Sequence, residues 1–229
     1  MRKFLAIMIV TVASSAAACL PASAQFGLPG GGGALPIPGM GGGGGGFSAA
    51  AAALGTNLKT ALYNQGMALG LVQEAMGNKA KADIFRSQAS AIQSVKSPSK
   101  DQMVKMQKTI EDNPINLEGL AKVTDAAGQK KVAEAQAHMD IVIVYNGLAL
   151  ASAAAMASQK PGPSDVASAP AILETAQLAL TAIPTQTENF KKFNEAVSAY
   201  MKTNNVAKLT PAQKTALAKK TDPKAASNL

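Results

Sequence analysis

Residues 132–156, VAEAQAHMDIVIVYNGLALASAAAM, decide the fold class. Val132, Ala135, Met139, Val142, Asn146, Ala149, Ala153 and Met156 recur at steps of three and four, the repeat that lines up side chains along one side of an α-helix. From 141 to 157 there is no charged residue. A helix that is apolar on every side is buried among other helices or sits in lipid. Seventeen residues lie at the short limit for crossing a bilayer, Asn146 falls near the centre, and alanine contributes little to insertion. The stretch therefore reads as the central helix of a bundle, with a membrane segment as the alternative. It is expected to belong to one long helical region, 117–159, bent near Gly128.

The same periodicity extends outward from this helix. Leu58, Leu62, Gln65, Leu69, Val72 and Met76 form a seam over a first helix at 48–76, which Gly77 and Asn78 end. Gly66 and Gly70, four apart on another face, would let a second helix approach closely. Residues 79–95 present Phe85, Ala89 and Ile92. Ser97 reads as an N-cap with Pro98 at the first helical position, opening a helix to Asp112 that turns Met103, Met106 and Ile110 inward. After Pro161 and Pro163, a helix at 169–183 turns Ile172, Ala176, Ala179, Leu180 and Ile183 inward and is expected to stop at Pro184. A new one starts at Thr185, with Glu188 completing a capping box, and presents Phe190, Phe193, Val197 and Tyr200. Thr210, Pro211 and Gln213 open a last short helix. The reading is all-α: a single bundle of five to seven helices, with no strand alternation and no internal repeat.

Composition narrows the function. The 229 residues are 47% hydrophobic but only 4% aromatic, with one His, one Cys and no Trp, and the net charge is +8. A His-based triad has one available member, and a Cys/His zinc cluster has no ligand set. With only Arg2 and Arg86, base readout has almost no arginine to use. Nucleic acid is not an expected partner.

The N-terminus reads as an export signal. Arg2 and Lys3 precede an apolar run at 4–12, and Ala22, Ser23 and Ala24 form an A-x-A site with cleavage before Gln25. Localisation is therefore periplasmic or secreted. The alternative is a lipoprotein anchored at Cys19, although Ala16 stands where a lipobox carries a larger aliphatic residue. Residues 25–47, GLPGGGGALPIPGMGGGGGG at their centre, read as a flexible arm, because glycine loses most backbone entropy on ordering. The domains expected are a signal peptide at 1–24, the arm at 25–47, the bundle at 48–209 and a short basic helix and tail at 210–229.

Few residues suggest chemistry. Ser97 and Lys100 match the S-x-x-K string of penicillin-recognising enzymes, but the companion S-D-N and K-T-G elements are missing. Glu134 and His138 share a helix face and are weak metal candidates, as are Met103 and Met106 through their thioethers. The plainer expectations are a partly exposed histidine and two core methionines. From Lys191 onward eight lysines face two acids. Lys191, Lys192, Lys202, Lys214, Lys219 and Lys220 are candidate contacts for a partner, anionic lipid or polysaccharide.

No cofactor is expected. The leading expectation is an exported non-enzymatic helical protein, an accessory, structural or interaction subunit of a cell-envelope or surface assembly. It would engage an envelope protein or self-associate. The alternatives are a membrane-active, inserting or lipid-binding protein, and a periplasmic metal or small-ligand carrier.

Overall fold

The computed structural model describes residues 46–221; the expected signal segment at 1–24 with Cys19, positions 25–45 of the expected arm, and the tail beyond 221 lie outside them. Among the described residues, six α-helices and one 3-10 helix make up the regular structure: α1 Gly46–Ala75, α2 Lys79–Gln93, α3 Lys100–Asp112, the 3-10 turn Leu117–Lys122, α4 Ala126–Ala157, α5 Ala169–Thr203 and α6 Pro211–Thr221. No strand occurs among the described residues. The chain is an all-α bundle.

Helix α4 lies between α1 and α5, α2 runs along α1, and α3 touches α1, α2 and α5. The seam residues of α4, from Val132 through Met156, are all buried. On α1, Leu58, Leu62, Gln65, Leu69 and Val72 are buried, while Met76, one residue past its end, is only half-buried. The core has two main parts. Toward the C-terminal end of α1, Leu69, Val72, Phe85, Val132, Met139 and Phe193 meet. Toward its N-terminal end, Leu54, Leu58, Met103, Met106, Met156 and Ile183 do so.

Gly77 ends α1 with φ +80, a left-handed conformation open to glycine. The amides of Gly77 and Asn78 donate to the carbonyls of Glu74 and Gln73 (3.0 and 2.8 Å), closing a Schellman motif. The expected close approach of α2 is also present. A Cβ on Gly66 would lie 2.9 Å from the Phe85 carbonyl oxygen, and one on Gly70 would lie 3.3 Å from that of Ala82.

Four local expectations are corrected. The region 117–159 is two elements. Val123 is extended and buried, its carbonyl accepts the Tyr200 hydroxyl, and the Asp125 side chain caps a fresh helix at the Gly128 amide (2.8 Å). Gly128 is thus no bend. It lies in the first turn of α4, where a Cβ would sit 2.6 Å from Val123 Cγ1.

The cap of α3 is Ser99, not Ser97. Ser99 and Gln102 exchange both bonds of a capping box, while the Ser97 hydroxyl packs where a Cβ on Gly55 would be, at 2.3 Å. Pro184 does not stop α5, so the Thr185–Glu188 capping box does not form and the two expected helices are one. Proline removes one ladder bond. Here Pro184 is exposed, and buried Ile183 and Thr187 hold both halves on α4. Finally, His138 is buried, not partly exposed, because it faces α1. The α6 cap is as expected: Thr210 N donates to Gln213 Oε1 at 2.9 Å and Gln213 N to Thr210 Oγ1 at 3.3 Å.

Candidate functional site

A polar seam runs through the bundle, and it starts at α1. The Asn64 amide nitrogen donates to the Thr60 carbonyl one turn back (2.7 Å), which turns Oδ1 toward α4. There it lies 2.6 Å from His138 Nδ1, so the imidazole carries its hydrogen on Nδ1 and leaves Nε2 as an acceptor. Both residues are buried. Burial lowers the His138 pKa to about 4, which keeps the ring neutral. Further along the same interface, Asn57 Nδ2 donates to Ser152 Oγ (3.1 Å).

The α4–α5 interface is built the same way. Gln136 Nε2 donates to Ser198 Oγ, and Asn146 Nδ2 to Thr187 Oγ1 at 3.2 Å. Asp140 accepts from Asn194 (3.1 Å) and from Lys214 of α6 (2.6 Å). Partners that step forward on α4 step backward on α1 and α5, so both pairings are antiparallel. Buried amides bonded this way fix helix register, because slipping the pairing would strand them without partners.

Glu74 closes the charged end. It pairs with Arg86 of α2 and with Lys131 of α4 (3.1 Å). Burial raises its pKa, but the hydrogen bonds and charges of Lys131 and Arg86 outweigh that, so the net shift is downward. The Tyr200 pKa is raised by burial and by the charge of Asp125, with a hydrogen bond to Gln129 acting the other way.

The candidates named from sequence do not converge. Glu134 is half-buried one turn before His138, and among the described residues no group of three His, Cys, Asp or Glu side chains is placed to hold a metal ion. Met103 and Met106 are buried in hydrocarbon beside Leu58 and Ile92. Ser97 and Lys100 point to different partners, since Lys100 pairs with Glu174 of α5 at 3.4 Å, so no nucleophile and base are brought together.

The lysines are also dispersed. Lys191 pairs with Glu188 (3.0 Å) and Lys214 with Asp140, Lys192 and Lys202 are exposed, and Lys219 and Lys220 lie in the last turns of α6. A surface hollow of about 370 Å³ lies between the start of α1 and the α4–α5 loop, lined by Ser48, Gln159, Lys160 and Asp165. Asp165 is already bonded there to Ser48 (2.7 Å) and to the Gly162 amide (3.1 Å).

Sequence reading found Asn146 and Gln65 as polar members of the seams, but missed Asn57, Asn64, Gln136 and Asn194. Their signal is an amide side chain on or beside an apolar stripe. Which partner it meets is set by a helix many residues away.

Compared with known proteins, the chain matches no family model, no curated protein sequence and no solved structure.

Proposed function

We propose that this is an exported, non-enzymatic helical protein that serves as an accessory or structural subunit of a cell-envelope or surface assembly. One observation carries the reading. Four polar pairs, Asn57–Ser152, Asn64–His138, Gln136–Ser198 and Asn146–Thr187, bond across the α1–α4 and α4–α5 interfaces, so these side chains are spent on holding helices together. Such networks specify a rigid shape, and a rigid shape offers neighbours a surface. The export-type pattern at 1–24 and the glycine-rich stretch at 25–47 support a reading in which that surface is carried outside the cytoplasm on a spacer.

Cross-linking in intact cells, with sedimentation of the purified mature protein, tests this. A cross-linked envelope partner or a self-assembled species is the expected result. A strict monomer with no cross-linked partner overturns it.

The second reading, a membrane-active protein, draws on α4, the one described helix long and apolar enough to cross a membrane, half of whose apolar window is buried in the bundle. Flotation with liposomes separates the two, because an assembly subunit stays in solution. The carrier reading retains only the Glu134–His138 and Met103–Met106 pairs. Titration calorimetry with zinc and with Cu(I) tests those, and heat beyond buffer would favour it.

A further inference from the structure

Charge is distributed very unevenly over this bundle. Residues 46–58 of α1 and 141–159 in and just after α4 carry no charged side chain, and 169–187 of α5 carry only Glu174, which is paired with Lys100 of α3. Because α1 and α5 both run antiparallel to α4, these three stretches lie side by side at one end of the molecule. The outward side of α4 there is apolar and incompletely covered. Ile143, Val144 and Leu150 are half-buried, Ala154 is exposed, and a Cβ on Gly147 would meet nothing within 4 Å. On the neighbouring helix, Leu173 is 37% exposed. Lower on α4, Leu217 of α6 already packs against Ala61, Ile141 and Tyr145, with Val144 and Leu148 beside them, so this side accepts an apolar helix.

We propose that this charge-free face is the surface through which two copies of the chain associate. The inference rests on the assembly-subunit reading and names its contact. Charge argues for a second copy as the occupant. With Arg2 and Lys3 removed along with the expected signal segment, the net charge falls from +8 to +6, so two copies still repel wherever their lysines meet, and they approach at least cost through the face that has none. An acidic partner would find nothing to pair with there. Lys160 and Asp165, just beyond the end of α4, suit the polar rim of a protein interface, and the Asp165 carboxylate would be costly in lipid. The area is also adequate. Some seventeen residues of helix give about 25 Å of length, and two helix diameters give about 20 Å of width. That is about 500 Å² per copy, at the lower limit for a specific interface and appropriate to a concentration-dependent dimer.

The test is sedimentation velocity of the mature protein over a wide concentration range, with Ala154→Glu and Gly147→Lys as face variants and Val104→Glu as a control. Val104 is 47% exposed on α3, away from the face. All three positions are solvent-facing, and an unchanged circular dichroism spectrum with a cooperative thermal transition establishes that each variant folds. The expected result is a wild-type dimer whose dissociation constant rises at least about tenfold in both face variants and stays unchanged in Val104→Glu. A wild type that stays monomeric overturns the inference. So does equal weakening by Val104→Glu, or binding to anionic phospholipid vesicles that the face variants abolish without altering self-association. If the wild type is monomeric but cross-links to a different envelope protein, this inference falls and the assembly reading stands.

Discussion

His138 of α4 and Asn64 of α1, 74 positions apart in the chain, meet inside the bundle at 2.6 Å, and the pair ties the two helices at one height. The only histidine in the sequence is thereby a neutral, buried hydrogen-bond donor.

Stability should therefore depend on pH in a defined window. The folded pKa of His138, about 4, lies below the ordinary 6.5, so between those values the unfolded chain binds a proton that the native protein does not. Stability is full above about pH 6.5, falls as pH drops toward 4, and the loss from this group totals about 3 kcal/mol. Glu74 adds a second loss at lower pH, as its depressed carboxylate becomes protonated. Urea unfolding at pH 7.5, 5.5 and 4.5 should show a steeper decline for the wild type than for His138→Gln. Parallel curves would exclude this account.

Two glycines should respond with opposite sign. Gly66→Ala forces a methyl group to within 2.9 Å of the Phe85 carbonyl oxygen and 3.0 Å of Ala89 Cβ, and should cost about 1–3 kcal/mol. Gly147→Ala enters open space in mid-helix and should stabilise by about 0.5–1 kcal/mol. Denaturant midpoints at constant slope read both. Equal effects would mean that α2 does not approach α1 closely.

Ser99→Ala should cost about 1 kcal/mol by removing a helix cap, and hydrogen exchange should rise first in the opening turn of α3. Ser97→Ala removes no cap bond and should leave that turn protected. The reverse pattern would restore Ser97 as the cap.

Lys214→Met should loosen α6 without unfolding the bundle. The Lys214–Asp140 pair is about one-third exposed at both ends, so global stability should change by less than about 1 kcal/mol. Amide exchange should accelerate within 211–221 alone. Acceleration spreading through α4 would show that α6 is integral to the core.

Much of the fold was legible along the chain, and the reason is local. Apolar periodicity in α1 and α4 reflects which side of a helix meets hydrocarbon, and Gly77, Thr210 and Gln213 act within one turn of where they stand. Two of the misreadings share a physical cause. Pro184 and Thr185 carry strong local stop and start signals, yet packing of Ile183 and Thr187 against α4 outweighs one missing ladder bond. Val123 reads as helical until the Tyr200 hydroxyl, 77 positions away, takes its carbonyl. The start of α3 is a different case. Ser99 has Gln102 three residues on and Ser97 has Lys100, so the capping box that settles it is itself present in the sequence, and sequence reading missed it for the Ser97–Pro98 pair.

The order of residues alone determined an all-α chain, its long buried helix, and a supply of one histidine and one cysteine. These follow from composition and from repeats a few residues long. Tertiary structure decided the environment of His138, the amide pairs that set register, the dispersal of the lysines, and the gathering of three uncharged stretches onto one side. Each depends on contacts between distant segments, whose energies are set by which helices lie next to each other and in which direction they run.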